Sequence, residues 1–279
     1  MKKINNLVII SKHTKPIVTD VYYKETQQPK KIIVFCHGYK GFKDWGAWHL
    51  MAEAFANAGF LFLKFNFSHN GGTLEQPIDF PDLEAFGNNN YTKELDDLNS
   101  VLNWVCTATV IKKEADTNHI YLIGHSRGGG IVLLKAFEDS RVKKVVTLAG
   151  VCDFGKRTAT IGNVEQWKKQ GVKYVLNVRT KQQMPHFYQF YEDFIKNENR
   201  LNIKKATENI TIPQLIIHGD SDTSVSIKEA ENLHQWNPKS QFKIIKNANH
   251  VFNVSHPWKK QKMSNELHEV TQICIAFLG

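Results

Sequence analysis

The chain has 279 residues, 42% of them hydrophobic, enough to bury one large α/β core with an insertion, and this excludes a disordered chain. A membrane span needs about 18 consecutive apolar residues, but the richest run, FLFLKFNF from position 60, is broken by Lys64, and MKKINNLVII is too short in its apolar part for a signal peptide, so a cytoplasmic protein is expected. The net charge of +9 is scattered over lysine pairs beginning at 2, 30, 112, 143, 168, 204 and 259, a pattern of solvated faces that speaks against nucleic acid, and Cys36, Cys106, Cys152 and Cys274 form no C-x-x-C pair, so no metal cluster or disulfide framework is expected.

Apolar, β-branched runs bounded by turn residues predict strands at LVIIS (7–11), IVTDVYY (17–23), KIIVFCH (31–37), FLFLKFNF (60–67), HIYLIGH (119–125), KVVTLAG (144–150), PQLIIHG (213–219) and QFKIIKNA (241–248). From the third strand onward, helical patterns separate most of them: WGAWHLMAEAFANAG, YTKELDDLNSVLNWV, RGGGIVLLKAFEDS, SIKEAENLHQW and ELHEVTQICIAFL. Strands alternating with helices imply a mostly parallel eight-stranded sheet covered on both faces, because each crossover must bury its apolar stripe against it. The first two strands have no helix between them and are expected as an antiparallel edge.

The alternation fails between Cys152 and Ile212, where a segment far longer than a crossover needs separates two strands. The economical division is a core of residues 1–151 and 213–279 with a helical cap insertion at 152–212. Within it, NVEQWKKQG and KQQMPHFYQFYEDFIKNENR have helical character, and Phe187, Phe190, Tyr191 and Phe194 fall at i, i+3, i+4 and i+7. Such a stripe packs a cap helix onto the core. It can also line an acyl pocket, and Met184, Phe187, Tyr188 and Tyr191 are the wall candidates, with short or aromatic acyl groups preferred over long chains.

The strongest chemical signal is Gly124-His125-Ser126-Arg127-Gly128, a G-x-S-x-G pattern directly after the strand YLI and before an apolar-periodic helix. A serine at a sharp strand-to-helix turn is exposed as a nucleophile, and small residues on either side let the backbones approach. GHSRGGG lacks the third glycine of G-x-G-x-x-G and the lysine of a phosphate loop, which disfavours nucleotide binding.

A serine hydroxyl needs a base within hydrogen-bond reach and an acid to orient that base. His250, immediately past the eighth strand in NANHVF, is better placed than His256. The acid candidates are Asp220 and Asp222 in HGDSDTSV after the seventh strand, and Asp153 after the sixth; all lie at carboxyl ends of strands, which share one rim of a parallel sheet. The developing oxyanion needs two preorganised donors, for which the candidates are the backbone N–H of Arg127 and that of Tyr39 in His37-Gly38-Tyr39-Lys40-Gly41.

Taken together, HGYKGF, GHSRGG, HGDSDTSV and NANHVF, in this order and spacing, resemble the α/β-hydrolase superfamily, in the branch of serine esterases and acyl-peptidases related to dienelactone hydrolases and prolyl oligopeptidases. The resemblance covers nearly the whole chain outside 152–212. It implies an α/β-hydrolase fold, Ser126 as nucleophile, Asp222 as acid, His250 as base, and neither metal nor organic cofactor. Dienelactone hydrolases proper carry a cysteine at the position of Ser126, so that particular activity is not implied. The expected partner is a small-molecule acyl substrate and the expected reaction is ester hydrolysis. Acyl transfer, peptide or thioester cleavage use the same machinery, and a non-catalytic binder would be expected to have lost a triad member.

Overall fold

The computed structural model describes residues 1–159 and 162–279, so Thr160 and Ile161 of the expected insertion lie outside the described residues. Ten strands are described: β1 (Lys2–Ile9), β2 (Ile17–Tyr23), β3 (Lys30–Cys36), β4 (Leu61–Phe65), β5 (Ala115–His125), β6 (Val142–Leu148), β7 (Val172–Leu176), β8 (Gln183–Phe187), β9 (Gln214–Gly219) and β10 (Gln241–Ile245). The described α-helices are α1 (Trp48–Asn57), α2 (Leu83–Gly87), α3 (Tyr91–Thr107), α4 (Arg127–Glu138), α5 (Phe154–Ala159), α6 (Val164–Gln170), α7 (Gln189–Lys196), α8 (Ile203–Asn209), α9 (Ile227–Trp236) and α10 (Asn265–Leu278).

Eight strands form one sheet in the order β1-β2-β4-β3-β5-β6-β9-β10. Strand β2 is antiparallel to both β1 and β4, and each pairing from β4 to β10 is parallel, as the spacing of strands and helices predicts. Because helices cover both faces, the inner strands carry apolar runs with no exposed alternation: Ile32–Cys36 of β3 is buried at every position. On one face α1 and α10 bring Trp48, Met51, Phe55, Leu267 and Val270 onto Phe35, Phe62 and Ile123. On the other, α3, α4, α8 and α9 bring Leu95, Ile131, Ile203 and Leu233 onto Val34, Leu63 and Leu122. Each such side chain contributes about 1.5–3 kcal/mol by leaving water, so the two layers fix the sheet that carries the site. Among the described residues no helix is long and apolar enough to cross a membrane.

The segment between β6 and β9 corrects, in part, the expectation of helical character across KQQMPHFYQFYEDFIKNENR. Residues 164–170 and 189–196 are helical, but Gln183–Phe187 is β8, paired antiparallel with β7 as a separate hairpin. Pro185 is the cause: it lacks the N–H a helix needs, clashes with the preceding turn and pushes Met184 towards extended backbone. The aromatic stripe is therefore split. Phe187 lies in β8, while Phe190 and Phe194 stay one turn apart on α7 and bury themselves against Tyr91, with ring centroids 4.8 and 6.2 Å away.

Candidate active site

The turn from β5 into α4 places Ser126. Its backbone has φ 55° and ψ −118°, a left-handed conformation that costs a non-glycine residue about 1–3 kcal/mol and survives only where the surroundings enforce it. The enforcing contacts need glycine. A Cβ on Gly124 would stand 2.2 Å from the Gly128 carbonyl oxygen, and one on Gly128 would stand 2.4 Å from that of Cys36. These closures hold the turn tight, and the Ser126 N–H is anchored to the Leu148 carbonyl at 2.9 Å.

Two loops at the same rim complete the site. The loop after β9 delivers Asp222 and the one after β10 delivers His250; Ser126 Oγ lies 2.9 Å from His250 Nε2, and His250 Nδ1 lies 2.7 Å from Asp222 Oδ2. Burial on its own would raise the Asp222 carboxyl, but hydrogen bonds from His218 and His250, the charge of His250 and the Val225 N–H outweigh it and hold the group far below the usual carboxylate range. An ionised Asp222 can only accept, so His250 Nδ1 carries the proton and Nε2 is left to accept from the serine hydroxyl. Asp222 is itself fixed, since Oδ1 accepts from the N–H groups of Ser224 and Val225 at 2.8 and 2.9 Å. His250 is held from behind, its carbonyl lying 2.9 Å from His125 Nε2.

The rival residues stand elsewhere. Asp220 Oδ1 accepts from the Asn247 N–H at 2.7 Å and shapes the turn, and Asp153 Oδ1 accepts from the Lys156 N–H at 3.1 Å. His256 Nδ1 accepts from the Gly46 N–H at 3.0 Å.

The loop after β3 lies beside the serine because Cys36 pairs in register with Gly124. A Cβ on Gly38 would come within 2.8 Å of the Ser126 Cβ, so only glycine lets this loop approach. The next N–H, that of Tyr39, and the N–H of Arg127 at the start of α4 donate to no acceptor among the described residues. Both are available to an oxyanion. The loop is pinned by buried charges further along: Lys43 Nζ reaches Asp20 at 2.9 Å, Lys64 Nζ reaches the same carboxylate at 2.6 Å, and Asp44 pairs with both lysines.

A cavity of about 400 Å³ opens beside Ser126 and His250, bordered by Tyr39, Tyr91, Phe154, Val175 and His186 among others. None of the four expected wall residues borders it. Met184 is wholly buried with Phe42, Phe80 and Phe86. Phe187 packs against Gly87, and Tyr188 and Tyr191 against Trp167, at ring separations of 5.9 and 6.3 Å. The strand period explains part of this: once Pro185 makes 183–187 extended, successive residues face opposite ways, so Phe187 turns away from the face on which His186 meets the cavity, while Met184, two residues before His186 on the same face, is taken up by the cluster of Phe42, Phe80 and Phe86. His186 Nε2 lies 3.0 Å from the Tyr39 hydroxyl, and burial, with Arg127 adding to it, pushes the imidazole down to about 3. No periodicity in the sequence singles out His186 or Val175; only the turn signal at Pro185 hints at the hairpin.

The arrangement of sheet, elbow and strand-end loops is that of an α/β-hydrolase fold. Residues 31–181 match the family described by that fold, and the chain belongs to it. No curated protein matches the chain significantly. Among solved structures it is similar to the esterase domain of a Rhodothermus marinus protein, at 20% identity and TM-score 0.66 over 100% of both chains. It is also similar to Est1E from Butyrivibrio proteoclasticus, at 15% identity and TM-score 0.71 over 99% of this chain and 98% of that one. A third is a dienelactone hydrolase from Anabaena variabilis, at 16% identity and TM-score 0.63 over 99% and 96%.

Proposed function

We propose that the protein is a serine hydrolase that cleaves a carboxylic ester through an acyl-enzyme on Ser126. Family membership supports hydrolase activity, and the observation that carries the finer reading is the hydrogen-bonded series Ser126, His250, Asp222 at 2.9 and 2.7 Å. His250 takes the serine proton as Oγ attacks the ester carbon, the N–H groups of Tyr39 and Arg127 receive the negative oxygen, and the imidazolium, steadied by Asp222, returns the proton to the departing alkoxide. Water then repeats the sequence and frees the acid. Residues 152–212 act as a cap, supplying Phe154, Arg157, Val175 and His186 to the cavity wall.

The test is labelling with a fluorophosphonate followed by peptide mapping, together with a screen of simple esters. A label on Ser126 and turnover of esters are expected. A folded protein that takes no label would reject the nucleophile. Acyl transfer is separated from hydrolysis by adding an alcohol acceptor and measuring the ratio of new ester to free acid.

A further inference from the structure

The 400 Å³ cavity beside Ser126 is bordered by three cationic side chains, Lys40, Arg127 and Arg157, and by no Asp or Glu among the described residues. The carboxylates that balance the arginines stand behind the wall. Glu94 accepts from Arg127 Nη1 at 3.2 Å, and Glu229 pairs with Arg157, yet neither borders the cavity. Arg127 is clamped by aromatic faces, 4.4 Å from the Tyr39 ring centroid and 5.2 Å from that of Tyr91, and Glu94 takes one of its five N–H donors. Lys40 has no carboxylate partner among the described residues; its ammonium lies 5.1 Å from the Tyr39 ring centroid, and its backbone is held at a left-handed φ of 53°. A half-buried cation on a strained loop, next to a donor for the oxyanion, is expensive to keep unless something pairs with it. A second cavity, about 110 Å³, also borders Ser126 and His250 and is walled by Trp45, Trp48 and Val251.

Given a serine hydrolase at Ser126, we propose that its substrate is a monoester of a short dicarboxylic acid, with the acyl part in the larger cavity, its free carboxylate on Lys40 and Arg127, and a small alkoxy group in the smaller cavity. The bond from Ser126 Oγ to the acyl carbon forms, the acyl to alkoxy bond breaks, and the serine proton leaves on the alcohol by way of His250. Water then releases the dicarboxylic acid and restores the serine. A neutral acyl group in the same place would cover Lys40 without pairing it, which costs desolvation and returns nothing.

The experiment compares monomethyl succinate with methyl levulinate, which replaces the carboxylate by a methyl ketone of nearly the same shape. For the wild type, kcat/KM for the anionic ester is expected to exceed that for the neutral one by about tenfold or more, as a charge-assisted hydrogen bond provides. Lys40→Gln should shrink that ratio several-fold, whereas Lys204→Gln, on α8, should leave it alone. Raising NaCl from 50 to 500 mM should lower kcat/KM for the anionic ester and not for the neutral one, a readout that needs no variant. A ratio of one or less, or one indifferent to both Lys40→Gln and salt, overturns the substrate class. Fluorophosphonate labelling of Ser126 under the same conditions separates the failures: labelled enzyme with no anionic preference removes only the dicarboxylate, while unlabelled and inactive enzyme removes the serine-hydrolase reading as well.

Discussion

At the scale of single residues, the site depends on which carboxylate holds His250. Asp222 Oδ2 lies 2.7 Å from His250 Nδ1, whereas Asp220 is engaged with the Asn247 N–H. Asp222→Asn is therefore expected to cut kcat by about 10³-fold or more, since it removes the charge that fixes the imidazole tautomer, and Asp220→Asn by far less. Steady-state kinetics on a simple ester checks this, and equal losses would move the role away from Asp222. Ser126→Ala should abolish turnover by at least ~10³-fold with an unchanged urea midpoint, because the side chain already carries a Cβ at this left-handed turn and only an oxygen is lost. Gly38→Ala tests the approach of the β3 loop. Its Cβ would stand 2.8 Å from that of Ser126, so the loop must retreat, and kcat is expected to fall while the protein stays folded.

At the scale of elements, the hairpin of β7 and β8 decides which aromatics border the cavity beside Ser126. Phe187 and Tyr191 pack against Gly87 and Trp167 and border no part of the cavity, whereas Phe154, at the start of α5, borders it and stacks on Tyr91 at 3.9 Å. The kcat/KM ratio for acetyl and octanoyl esters should therefore stay level in Phe187→Ala and Tyr191→Ala, with stability lowered by about 1–4 kcal/mol. In Phe154→Ala the ratio should move several-fold towards the longer chain, because the lost ring enlarges the wall. A shifted ratio in Phe187→Ala would put that ring back at the substrate.

For the whole molecule, buried histidines set the response to acid. Burial pushes His37 down to about 4 and His125 down to about 3, and it lowers His69 and His186 as well. The unfolded chain takes up these protons near pH 6.5 and the folded chain only near 3 to 4, so stability present above pH 6.5 is lost as the pH falls. Between pH 6.5 and 5 the loss is about 2 kcal/mol for each of the fully buried pair, His37 and His125. Asp97 opposes it. Burial pushes that carboxyl up to about 6, so the folded state takes up a proton first below that pH and recovers about 1 kcal/mol by pH 5. The histidines outweigh it, and the urea midpoint should be clearly lower at pH 5 than at 7.5; equal midpoints would contradict neutral burial of His37 and His125.

Local chemistry made the framework legible in the sequence. Seven strands of the main sheet, the antiparallel edge and five principal helices follow from periodicity and turn residues, because each element buries an apolar face whose spacing is written along the chain. The first strand runs over Lys2–Ile9 instead of 7–11, since its first half is mostly exposed and carries little apolar pattern. The glycines around Ser126 are legible for the same reason, since a backbone approach within 2.4 Å of a virtual Cβ forbids any other residue. The choice of Asp222 over Asp220 and Asp153 came only through the family resemblance, for all three lie at strand ends on one rim, and it is loop geometry that turns a particular carboxylate towards His250. The cavity wall was least legible. It draws on Tyr39, Tyr91, Phe154, Val175 and His186, residues far apart in the chain that share no period, and their meeting depends on how the segment between β6 and β9 folds back over the rim. Sequence thus determined the sheet and the turn that presents Ser126, which short-range sterics dictate, while tertiary packing alone decided what surrounds the serine.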